Sequence, residues 1–147
     1  MHLPPEAAVL VADGRKMLFL RNKGDDLHPH LVVEHAEEQK NPKDGDQKSD
    51  APGVSSSSAR PGRSTMDEVD FHKLAEDRFA ADAADLLKRR ALAHDFTSLI
   101  VIAPPRTLGE LRKHYHAAVS ALITGELDKD LTGHPIADIE SAIKTAP

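Results

Sequence analysis

The chain has 147 residues, with 24 acids against 19 lysines and arginines and a net charge of −5. That length suits one domain with a sizeable core, and the acidic balance excludes a globally basic nucleic-acid binder, so any anion site has to be a local cluster. Cysteine is absent, which removes disulfides and thiolate chemistry.

The start of the chain, Met1 to Leu10, has neither a basic region nor a long apolar run, so no secretory signal is expected. No apolar run is long enough to span a membrane, and the expected location is cytoplasmic. Val9 to Ala12 is a short apolar run that ends at Asp13-Gly14, a strong turn signal. Lys16 to Arg21 follows with Met17 and Phe19 apolar, and the pair reads as an antiparallel hairpin. Leu31 to Val33 is the next expected strand.

Residues 37–65 break the pattern. Between 40 and 65 the only apolar residues are Ala51, Val54 and Ala59, among prolines and the serine run Ser55 to Ser58. Such a composition supplies no core, and loops beyond ~12–15 residues are uncommon unless they are functional or disordered. The expectation is a mobile loop inside a single domain, not a linker between two.

Thr65-Met66-Asp67-Glu68 fits a capping box, and a helix is expected from there to about Ala93. His72, Ala75, Phe79, Ala83, Leu86 and Leu87 fall on one face of it. Leu99 to Ala103 is a β-branched run without polar alternation, which suits a strand covered on both faces. Pro104-Pro105 ends it, and Thr107-Leu108-Gly109-Glu110 reads as a second capping box. One helix is expected to carry the stripe Leu108, Leu111, Tyr115, Ala118 and Val119. Ala121 to Leu127 is the next candidate strand, and Pro135 opens a last helix with Ile136, Ile139 and Ile143 inward.

The element order is β-β-β-α-β-α-β-α. Right-handed crossovers then predict an α/β fold, a mixed five-stranded sheet of order 3-2-1-4-5 with three helices, the pattern of the ribonuclease H-like fold.

The segments "VLVADGRKMLFLRNKGD", "NPKDGDQKSDAPG", "DEVDFHKLAEDRFAADAADLL", "LIVIAPPRTLGELRKHYH" and "ELDKDLTGHPIADIESAI" together resemble the bacterial host attachment protein family. That family is similar in turn to the middle domain of archaeo-eukaryotic peptide-chain release factors. The resemblance implies a release-factor-like fold and a link to translation. In release factors the segment after the third strand bears a Gly-Gly-Gln tip that triggers peptidyl-tRNA hydrolysis. This chain has no such triplet, and its only glutamines are Gln39 and Gln47, so the hydrolase role does not carry over. The family name suggests surface attachment, but without an export signal any such effect is expected to be indirect.

Strands 1, 3, 4 and 5 of the expected sheet run in one direction, and open α/β sheets place ligands at the carboxyl edge of such strands. That edge gathers Asp13, the 37–65 segment, the first helix start, Arg106 and Lys129-Asp130. Arg60, Arg63, Arg106 and Lys129, with the amides after Thr65, form a candidate phosphate cradle. The expected function is a non-catalytic binding protein that contacts the ribosome or RNA phosphates, with a protein partner as a further possibility.

The alternative is a metal-dependent ribonuclease H-like nuclease, with Asp13 and partners among Glu68, Asp70 and Asp130. Against it, strand 4 ends in Ala-Pro-Pro where another carboxylate would be needed, and the Asp-Gly turn explains Asp13 without metal. His72, with Glu76 one turn on, reads as a structural histidine held by a carboxylate or a loop carbonyl. Nine histidines without a zinc-binding box leave no metal site or cofactor expected.

Overall fold

The computed structural model describes residues 1–39 and 61–147, and of residues 61–70 the backbone alone. Five strands form one sheet: β1 (Ala8–Ala12), β2 (Lys16–Asn22), β3 (Leu31–Glu38), β4 (Leu99–Ile102) and β5 (Ile123–Leu127), in the order β3-β2-β1-β4-β5. β1 pairs antiparallel with β2, and β2 antiparallel with β3. β1 and β4 are parallel, as are β4 and β5. The carboxyl ends of β1, β3, β4 and β5 therefore share one edge, as expected.

The hairpin forms where the sequence places it, for a local reason. The Asp13 carboxylate accepts the amides of Arg15 and Lys16, both at 2.7 Å, and so folds the turn back on its own backbone.

Four helices occur among the described residues: α1 (Pro61–Leu92), α2 (Pro105–His114), α3 (Ala117–Ser120) and α4 (Ile136–Thr145). Three were expected. The apolar stripe from Leu108 to Val119 runs through a break, because Tyr115 is extended and the His116 ring accepts the Ala118 amide to start a short separate helix.

Helix starts also differ. α1 begins at Pro61, which puts Thr65 in its second turn and not at its cap. α2 begins at Pro105, so Thr107 is its third residue. In both cases proline, whose fixed φ suits the first turn and which has no amide to leave unpaired, marks the start before the box does. Of the segment 37–65, residues 40–60 lie outside the described residues. At its ends, Glu37 and Glu38 are strand and residues 61–65 are helix.

All of β1 is buried, since both faces of the sheet are covered. On one side Ala8, Leu10, Met17, Phe19, Leu99 and Val101 meet Phe79, Ala83 and Leu87 of α1, with Leu108, Leu111 and Val119 from α2 and α3. On the other, Val9, Val11, Leu20, Ile100 and Ile102 meet Ile139 and Ile143 of α4, with Leu3 and Leu131. Each fully buried Leu or Ile stabilises by roughly 1.5–3 kcal/mol relative to its exposed state. α1 spans 32 residues, about 48 Å. The first buried side chain described on it is Phe79, so the described side chains from Phe71 to Arg78 lie outside the core.

The amino edge of the sheet is closed by an ion network. β3 skips one residue in its pairing with β2, since Phe19 faces His35 and Leu20 faces Val33. The unpaired Glu34 reaches the buried Arg21, with Oε1 at 3.1 Å from Nη2. Arg21 also donates to the carboxylate and the carbonyl of Asp95. Arg90 pairs with the same two acids at 3.2 and 3.1 Å, and its guanidinium lies 4.2 Å from the Phe19 ring centroid.

Candidate functional site

The carboxyl edge is built by three strand exits and one helix. β1 delivers the Asp13-Gly14 turn. β4 delivers Pro104-Pro105 and the first turn of α2, with Arg106 as its second residue. β5 delivers Asp128, Lys129 and Asp130, and α1 brings Glu76 over the edge.

Asp13 and Asp130, which lie 117 positions apart in sequence, are joined through Thr132. The buried Thr132 hydroxyl lies 2.9 Å from Asp13 Oδ2 and 2.9 Å from Asp130 Oδ1. Asp13 thus spends one carboxylate oxygen on two turn amides and the other on a hydroxyl. That is a tie between the β1–β2 turn and the loop after β5. A nuclease would need those oxygens aimed at a metal. Among the described residues no group of three or more histidines, aspartates or glutamates is arranged to hold a metal ion. The side chains of Glu68 and Asp70 lie outside the described residues.

Arg106 and Glu76 also meet here, guanidinium to carboxylate at 3.8 Å, with 70% of the Arg106 side chain exposed. Glu76 is turned to Arg106 and makes no hydrogen bond to His72, which is half-buried. Gly14 lies directly beneath Glu76. A Cβ at Gly14 would sit 2.9 Å from Glu76 Cδ and 3.0 Å from its Cγ and Oε1.

The helix start that reaches this edge is that of α2. It has no side-chain cap and no acid in its first turn, so the amides of Arg106 and Thr107 point outward with the positive end of the helix dipole. Lys129 is exposed and has no ion-pair partner among the described residues. Arg60 lies outside the described residues, as do the side chains of Arg63 and Thr65. Of the residues expected in the cradle, Arg106 and Lys129 are the two whose side chains are described, and the α2 amides lie beside Arg106. Thr132 was not singled out from the sequence. Its spacing of two from Asp130 was the available signal, but nothing local points to Asp13.

A family model described as bacterial archaeo-eukaryotic release factor family 12 matches residues 6–143. No curated protein matches the chain.

Proposed function

Because this chain belongs to bacterial archaeo-eukaryotic release factor family 12, we propose that it is a non-catalytic cytoplasmic binding protein that contacts RNA phosphates, on the ribosome, through the carboxyl edge of its sheet. The observation that carries this reading is Arg106 on the uncapped first turn of α2. A guanidinium beside free helix amides suits a phosphate, since both offer directed N–H donors to its oxygens. Lys129 adds a second, exposed charge. Peptide release is not part of the reading, because the chain has no Gly-Gly-Gln. A role in host attachment, as the resemblance suggests, would follow indirectly from an intracellular interaction.

Losing one charge-assisted contact costs roughly 1.5–3 kcal/mol. Arg106→Ala and Lys129→Ala are each expected to weaken binding of a short single-stranded RNA by about tenfold or more. The salt dependence should become shallower, since fewer counterions are released. Fluorescence titration at low and moderate salt, with circular dichroism to confirm folding, measures both. RNA binding that is undetectable in the native protein at low salt, or as tight in both variants as in the native protein, refutes the reading.

A further inference from the structure

Arg106 and Glu76 face each other at this edge across a partly exposed contact. We propose that Glu76 is the resident anion of the site: its carboxylate occupies the Arg106 guanidinium and the space over the β1–β2 turn until a phosphate displaces it. The inference rests on the reading above and adds how that site is regulated.

Three observations carry it. The Arg106–Glu76 contact is loose. At 3.8 Å it is too long for a hydrogen bond, and ion pairs this exposed typically contribute no more than about 1 kcal/mol. Such a pair yields readily to a ligand that can make short, paired contacts with the same guanidinium.

Second, two of the acids described at this edge, Asp13 and Asp130, are otherwise engaged. Asp13 accepts the Arg15 and Lys16 amides and shares the single Thr132 hydroxyl proton with Asp130, which also faces the Thr132 amide. α2 has no acid in its first turn. Among the described residues, Glu76 is the carboxylate that faces Arg106.

Third, Gly14 is shaped for this occupant. It is not among residues of positive φ, so its turn does not require glycine for backbone reasons. What it supplies is clearance, since any Cβ there would press on the Glu76 carboxyl group. The glycine lets a carboxylate settle over the turn.

A resident anion lowers affinity for an incoming one, because binding must first vacate the guanidinium. Glu76→Gln keeps the side chain's shape and removes its charge. It should tighten binding of the same RNA about three- to tenfold, as expected for removing one unit charge a few ångströms away in partly screened surroundings. Gly14→Ala should act in the same direction by pushing the carboxylate off the turn. The gain from Glu76→Gln should vanish in the Arg106→Ala background, because the competition is for that guanidinium. Titration with inorganic phosphate, followed by NMR shifts of the Arg106 and Thr107 amides, gives the same comparison without RNA.

Tighter binding in both single variants, with no gain in the Arg106→Ala background, supports the inference. If Glu76→Gln leaves affinity unchanged or weakens it while Arg106→Ala still costs about tenfold, the binding site stands and the resident-anion inference falls. If Arg106→Ala is also without effect, the reading and the inference fall together.

Discussion

Replacing Arg21 with alanine is expected to lower stability by about 2–4 kcal/mol, less than the roughly 3–5 kcal/mol of a fully buried pair, because Glu34 and Asp95 are partly exposed to solvent. Only 5% of the Arg21 side chain is exposed. Its loss would leave Glu34 and Asp95 facing each other with Arg90 alone between them. It would also leave the carbonyls of Glu6 and Asp95 without their donor. Urea unfolding followed by circular dichroism reads the change directly. A loss below about 1 kcal/mol would mean that Arg90 alone satisfies both acids.

The same network contributes to the acid limb of stability. Burial would raise the Asp95 carboxyl, but hydrogen bonds and charge from Arg21 and Arg90 outweigh it and hold the group below the ordinary 3.8. A carboxyl depressed in the folded state stabilises the fold above its unfolded value, and that contribution is lost as pH falls through the folded value. Stability should therefore decline as pH drops below about 4. The decline should be smaller in Arg21→Ala, where Asp95 has lost its first partner.

Asn22→Leu is expected to cost about 2–4 kcal/mol, through orphaned backbone groups and not through lost packing. Asn22 is fully buried. Its Nδ2 donates to the carbonyls of Leu3, Pro4 and Asp25, at 2.9, 3.2 and 3.3 Å. Its Oδ1 accepts the amides of Gly24 and His30, both at 2.9 Å. One amide thereby pins the amino-terminal segment and the β2–β3 loop to the end of β2. Leucine has similar volume but offers no partner to any of the five groups. Thermal denaturation of the variant beside the native protein measures the change.

Features set by local chemistry were legible in the sequence. Asp13-Gly14 specified the hairpin because the aspartate bonds amides two and three residues on. The strand order followed from element order and crossover handedness, with Leu99 to Ile102 recognisable as a central strand by its lack of polar alternation. Capping boxes were less informative. Thr65 and Thr107 match the box pattern but sit inside their helices, because Pro61 and Pro105 allow an earlier start. The break at Tyr115 was hidden, since apolar spacing continued across it. The contacts that join distant parts of the chain had no local signature. Thr132 reaches Asp13 across 119 residues, and Glu34 meets Arg21 only because β3 carries a bulge. Topology placed Arg106 and Lys129 at the carboxyl edge, while the nearness of Glu76 to Gly14 and Arg106 had no local signature.

Ribosome co-sedimentation tests the central claim most directly. The native protein should pellet with ribosomes at low salt and partly dissociate at moderate salt, as an interaction carried by phosphate contacts does. The double variant Arg106→Ala, Lys129→Ala, folded by circular dichroism, should remain in the supernatant under both conditions. Equal pelleting of the native protein and the double variant, or no pelleting of the native protein at low salt, would contradict the account.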